Sequence, residues 1–305
     1  MFKRPKVLNT LYKGINKTAP ANILTAKNKY KLYEKIILYF SITIFLIFIL
    51  LPFVEMFYAS LRPLDHLFRS PYQFFSDDLS FWAYREMWNT VPMLPRYIFN
   101  SFFLASVTSI ITLLFVIPAA YSYARFNFPF KNSSLYVLLA INMFSGAVLL
   151  IPLYKVLRTF GLLNSYRAMI VPGVAFLIPT SIWLLKSYFE KIPVDLEEAA
   201  FVDGASRVQI LRHIIAPLST PGLVVVGIYA FIGAYAQQFL FAITFNQKKE
   251  YMPIPSGLYE FIGYTTVKWN EMMAASLVGI LPVLFVFLFL QKYIVEGLTA
   301  GAVKN

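Results

Sequence analysis

Seven ionisable side chains crowd one short stretch, DLEEAAFVDGASRVQILRHIIAPLSTP (residues 195–221): Asp195, Glu197, Glu198, Asp203, Arg207, Arg212 and His213. Their types suit ion pairing and hydrogen bonding with another macromolecule. Catalysis is a poor fit. Neither His66 nor His213 has a ligand-spaced companion, so no metal site is expected. The chain has no cysteine, which excludes thiolate metal sites, disulfides and thiol redox chemistry. No Ser/His/Asp set or carboxylate pair is placed for catalysis. No G-x-x-x-x-G-K-S/T loop is present to cradle a phosphate. Any energy source must therefore lie on another chain.

Local signals make this stretch a helical hairpin over residues 193–219. Pro193 breaks what precedes it. Asp195 and Glu198 have the spacing of an N-terminal capping arrangement. The first helix is expected from Leu196 to about Asp203, stopping at Gly204, which tolerates a left-handed backbone. Ser206 and Gln209 form a second capping box, opening a helix from Arg207 to Ala216 that ends before Pro217. Thr220 and Pro221 then cap and open the next element. Ala199 and Ala200 are small enough to let a helix backbone seat in another protein's groove. A hairpin lying on anionic lipid would need a basic face. Glu197, Glu198 and Asp203 make the first helix acidic, so a protein groove suits it better.

The surrounding chain is a membrane protein by composition. Of 305 residues, 58% are hydrophobic and 14% charged, against about 25% charged in soluble domains. Six apolar runs are long enough to span, at about 36–58, 97–124, 134–154, 168–188, 221–245 and 273–291. The fold class is therefore all-α, with six transmembrane helices. Residues 1–35 hold nine Lys/Arg against one acid, Glu34, and read as a basic cytoplasmic arm ahead of a permease-sized domain at 36–305. If the N-terminus is inside, the inner segments carry 17 Lys/Arg and the outer ones 10. This places both termini and the hairpin in the cytoplasm. The net charge of +12 needs no nucleic acid to explain it, and no nucleic-acid-binding motif appears. Outer segment 60–95 mixes Phe, Trp and Tyr with charge, and 244–272 is rich in Pro, Gly and aromatics. The first reads as a short interfacial loop anchored by its aromatics; the second reads either as a loop that contacts a partner or lines a vestibule, or as a plain interfacial loop.

The hairpin resembles the EAA loop of ABC-importer permease subunits, through Glu198, Ala199, Ala200, Asp203, Gly204, Ala205, Ile215 and Pro217. NSFFLASVTSIITLLFVIPAAYSYARF (residues 100–126) resembles the start of the permease core, with P-A-A-Y-x-x-A-R-F at Pro118–Phe126. LQKYIVEGLTAGAVKN (residues 290–305) is similar to the ending of the carbohydrate, maltose-type class, in particular its smaller six-span subunit. The resemblance covers about residues 36–305 and leaves out the basic arm.

The resemblance implies one half of a heterodimeric pore in a bacterial-type cytoplasmic membrane. The other half would be a second homologous permease. Two ATP-binding subunits would hold ATP and Mg, so this chain would bind no cofactor. A solute-binding protein would deliver a sugar or oligosaccharide from outside. Glu197, Glu198, Ala199, Ala200, Asp203, Gly204, Ala205, Arg207 and Pro217 would form the ATPase-coupling element, with Arg207 available to an acid on the ATPase. The C-terminal residues 301–305 would also reach the ATPases. Polar and aromatic residues at membrane depth, Asn142, Ser145, Tyr154, Tyr229, Tyr235, Gln237 and Gln238, are candidates for the substrate pathway. Helix-to-helix hydrogen bonding is the competing role for each.

Glycerol-phosphate importers share the C-terminal ending, so a phosphate-bearing substrate stays open, with Lys155 and Arg158 suited to an anion. An ion-coupled secondary transporter should bury acids in its spans, yet Glu55 is the sole acid inside the six runs.

Overall fold

The computed structural model describes residues 32–68, 78–144 and 146–302. Most of the basic arm, Ser145 and residues 303–305 lie outside them. The chain divides into two units, Met1–Glu55 and Met56–Asn305. In the first unit the described part is helical and belongs to α1 (Leu32–Leu61). Residues 35–54 of that helix are exposed on every side. A helix apolar all round needs lipid or another helix about it.

The second unit is built on three long helices: α3 (Leu94–Arg125), α6 (Arg167–Phe189) and α10 (Thr220–Phe245). They pack most extensively on one another. Around them lie α2 (Trp82–Thr90), the pair α4 (Lys131–Ile141) and α5 (Gly146–Thr159), and α12 (Trp269–Ala302). The hairpin contributes α7 (Asp195–Val202), α8 (Arg207–Ile210) and α9 (Ala216–Leu218). The short α11 (Ile254–Gly257) precedes α12. Five helices are long and apolar enough to cross a membrane, or six if α4 and α5 count as one span.

That pair puts a sharp bend inside the span expected at 134–154. The two helices meet at 97°. The backbone tightens at the end of α4, where Asn142, Met143 and Phe144 each donate to the carbonyl three residues back. The Asn142 side chain donates to Thr180 Oγ1 at 2.8 Å, tying the corner to α6. Pro152 inside α5 lacks the N–H for an ordinary helical bond. Hydropathy sums the two halves as one run because it does not register a change of direction.

At its N-terminal end, α3 holds down the segment between α10 and α12. Buried Asn100 donates to the carbonyls of Glu250 and Met252 at 3.0 and 2.8 Å and accepts from Tyr166 Oη at 2.7 Å. Ser101 Oγ accepts the Ile254 N–H at 2.9 Å. Tyr97 Oη donates to Glu260 at 2.6 Å, and Lys249 pairs with the same carboxylate at 2.9 Å. At its C-terminal end, α3 shares a core with the hairpin. That core includes Val116, Ala120, Tyr121, Phe189, Ala200, Ile210 and Ile215.

Close approach of α6 and α10 depends on a missing side chain. A Cβ at Gly222 would lie 2.4 Å from Cγ and 2.8 Å from Cβ of Tyr188. Both atoms sit near the root of that side chain and cannot swing aside. At Gly279 the clash would be with the flexible tip of Ile254, at 2.2 Å. Overpacking a close-packed core costs about 1–3 kcal/mol. Gly222→Ala should therefore lower the melting temperature of the detergent-solubilised chain by more than Gly279→Ala. Equal melting shifts would show that α6 and α10 separate freely.

Candidate functional site

The hairpin is set by local geometry. The first turn of α7 does not use the Asp195–Glu198 capping arrangement. Val194 occupies the cap position, with no side-chain bond, and its carbonyl accepts the N–H groups of Glu197 and Glu198. The three acids Asp195, Glu197 and Glu198 instead fall in the first turn, where the helix dipole favours them. The C-terminal end is a Schellman motif. The Ala205 N–H reaches the Ala200 carbonyl and the Gly204 N–H reaches that of Phe201. Gly204 sits at φ +83°, with nothing within 4 Å of the place a Cβ would occupy. Its role is therefore conformational.

The Ser206–Gln209 capping box forms in both directions. Ser206 N–H donates to Gln209 Oε1 at 2.7 Å, and Gln209 N–H to Ser206 Oγ at 3.4 Å. The second helix does not run regularly to Ala216. After α8 it widens into a π turn at Leu211–Ile215, then continues as α9, with Pro217 inside. The Ala216 N–H bonds the Leu211 carbonyl, so the register has already slipped by one residue when Pro217 arrives without a donor. The cap of α10 is Ser219 rather than Thr220, whose hydroxyl turns back to the Pro217 carbonyl at 2.7 Å.

The acids of the hairpin part company. Glu197 is 4% exposed. It accepts from Tyr121 Oη at 2.7 Å and pairs with Arg125 Nε at 2.5 Å. Arg125 also donates from Nη2 to the Ile192 carbonyl at 2.8 Å. Glu198 points out. The same turn-by-turn alternation buries Ala200 and exposes Asp195, Ala199 and Val202, the last at 88%. Glu197 and Ala200 are thus absent from the exposed face of α7, because helical periodicity sets them against α3. Asp203 and Pro217 are exposed and Ala205 is half-buried.

Arg207 is engaged within the chain. Its guanidinium lies 4.7 Å from the Phe126 ring centre and 5.2 Å from that of Phe201. Tyr121, Arg125 and Phe126 all come from the P-A-A-Y-x-x-A-R-F segment. Sequence reasoning noted that segment without assigning its residues a role. A tyrosine and an arginine one turn apart at the end of a span were the available signal. Beside them, Gly204, Gln209, Ile210, His213 and Ile214 line a cavity of about 330 Å³, open on the hairpin surface.

The residues expected along a substrate pathway are mostly held by neighbours. Tyr235 Oη donates to the Gly279 carbonyl at 2.5 Å, and buried Gln238 Nε2 to that of Ser101 at 2.8 Å, so both tie α10 to other spans. Oε1 of Gln238 has no hydrogen-bond partner, as has Oε1 of Gln237. The cavity at Gln238, about 10 Å³, has room for one water. Tyr154 and Tyr229 are half-buried against separate core clusters. Asn142 serves the α4–α5 corner, and Ser145 lies outside the described residues.

Residues 116–299 match the family described as binding-protein-dependent transport system inner membrane component. The chain is 34% identical to the sulfoquinovosyl glycerol transport system permease protein SmoH of Agrobacterium fabrum, over 84% of this chain and 89% of that one. It is also 34% identical to the trehalose/maltose transport system permease protein MalG of Thermococcus litoralis, over 89% and 98%. A solved bacterial ABC transporter that imports the acidic polysaccharide alginate shares the fold. Its TM-score is 0.69 at 22% identity, covering 88% of this chain and 99% of that one. The apolar helices, the hairpin and these likenesses agree: the chain belongs to the binding-protein-dependent transport system inner membrane component family, as a multi-pass permease subunit of an ABC importer.

Proposed function

We propose that this permease forms half of a heterodimeric pathway for a sugar or oligosaccharide. A solute-binding protein delivers the sugar on one side of the membrane and two ATP-binding subunits work on the other. Each ATP-binding subunit carries its own ATP and Mg, and both termini of this chain face them. The substrate class rests on relatives named for trehalose/maltose and for sulfoquinovosyl glycerol.

The observation that carries the coupling role is the buried junction of Glu197 with Tyr121 and Arg125. It makes the hairpin a rigid extension of α3 while Glu198, Ala199 and Val202 remain available to a groove on the ATPase. Closure of the ATPase pair on ATP moves the hairpin. The junction hands that movement to α3, and the helices packed on α3 switch the pathway between its two faces. Glu198 supplies charge to the docked interface, Ala199 allows close backbone approach, and Val202 inserts an apolar tip.

Two experiments separate these roles. Removing one partner of a buried ion pair costs about 3–5 kcal/mol. Glu197→Ala should therefore lower the melting temperature of the chain. In the assembled transporter it should uncouple ATP hydrolysis from sugar uptake. Glu198→Arg should leave melting unchanged and abolish co-purification of the ATPase. The division of roles fails if Glu198→Arg still retains the ATPase.

Gly204→Ala meets no steric neighbour, so its effect reports the left-handed backbone alone, at about 1–3 kcal/mol. Binding-protein-stimulated ATP hydrolysis should fall several-fold, with the ATPase still bound. Wild-type stimulation in this variant would reduce the hairpin to a surface feature.

A further inference from the structure

At the end of α3 away from the hairpin, a cavity of about 430 Å³ opens between the turn after α1, the start of α2 and the start of α12. Its volume falls in the range of small-molecule sites, about 300–1,000 Å³. Leu61, Pro63, Leu64 and Ala83 supply apolar wall, and the Trp82 ring stands at its edge, 54% exposed.

Among the described residues, the Glu271 carboxylate in it keeps one oxygen without a hydrogen-bond partner. Glu271 is 1% exposed. Its Oε1 pairs with Lys268 Nζ at 3.2 Å, and Lys268 also donates to Thr90 Oγ1 at 2.8 Å. Its Oε2 accepts no hydrogen bond. A buried acceptor left without a donor costs about 1–3 kcal/mol, and more when charged. A neighbouring buried side chain, Asn270, is already used: its Nδ2 donates to the Arg62 carbonyl at 3.4 Å, and its Oδ1 accepts the Glu271 N–H at 3.0 Å. Glu271 Oε2 is therefore open to a donor on an occupant of the cavity.

The charges select the kind of donor. Arg62 and Lys268 both line the cavity with Glu271. Lys268 already neutralises the Glu271 carboxylate, which sets a barrier to the second cation that a metal ion or an amine would bring. A neutral hydroxyl meets no such barrier. A ligand with hydroxyls on its edge and an apolar C–H face satisfies both the carboxylate and the walls.

We propose that this cavity is a carbohydrate-binding subsite. Glu271 Oε2 accepts a sugar hydroxyl, and the ring's apolar face lies on Trp82. The site is separate from the residues at membrane depth considered above. It takes its ligand class partly from the sugar-importer reading, on which it rests, and would hold the sugar at the mouth of the pathway.

The test is equilibrium binding of glucose, maltose, trehalose and glucuronate to the full chain in phosphatidylcholine nanodiscs, with no partner subunit. At least one sugar should bind saturably and with one site, and change tryptophan fluorescence. Trp82→Ala removes an exposed ring, so the melting temperature should hold while binding weakens at least tenfold. Glu271→Gln should weaken binding to a similar extent. The proposal is overturned if none of the four sugars binds, or if binding survives Trp82→Ala unchanged. It is equally overturned if phosphatidylglycerol occupies the cavity in place of every sugar, which would make it a headgroup site. Uptake by the assembled transporter with no binding here removes this subsite alone. Binding here without sugar uptake removes the importer reading alone.

Discussion

A buried carboxylate cannot stay buried without its partners, and that constraint organises one end of this protein. Glu197 sits in a nearly dry junction with Arg125 and Tyr121. Replacing an ion pair by apolar residues is often neutral, whereas breaking one leaves a bare charge in a poor solvent. The hairpin therefore cannot lift from α3 without a large penalty. Arg207, laid across Phe126 and Phe201, closes the same joint from the other side. These contacts make the hairpin part of the bundle.

The other end of α3 follows similar logic through a set of side-chain hydrogen bonds. Asn100 and Ser101 satisfy the backbone of the irregular segment after α10, and Tyr97 bonds the Glu260 carboxylate on it. In a membrane protein such backbone is tolerated where protein supplies its hydrogen bonds. α3 thus works as a spine, with one end committed to the hairpin and the other to the segment after α10 by specific side chains. Between those ends, Tyr235 and Gln238 bind α10 to adjoining spans. These two polar residues in the spans serve assembly of the bundle.

Much of the hairpin was legible because its signals are short-range. Gly204 marks a left-handed turn whatever surrounds it, and the Ser206–Gln209 box depends on residues three apart. The long apolar helices were legible because lipid demands length and hydropathy, which are sums along the chain. The α4–α5 corner was not, since hydropathy carries no direction. Nor was the π turn before Pro217, which depends on where α10 must begin.

The amino-acid sequence alone determined the class of the protein, the apolar runs, the position and turn chemistry of the hairpin, and the absence of a phosphate-cradling loop. It presented Glu197 and Glu198 as equivalent neighbours. Folding made one a buried anchor and the other a surface group, because adjacent residues on a helix stand about 100° apart and only packing against α3 says which face turns inward. The same is true of Glu271. As text it is an acid at the head of a span; its unpartnered oxygen in a cavity exists only once three distant segments have met.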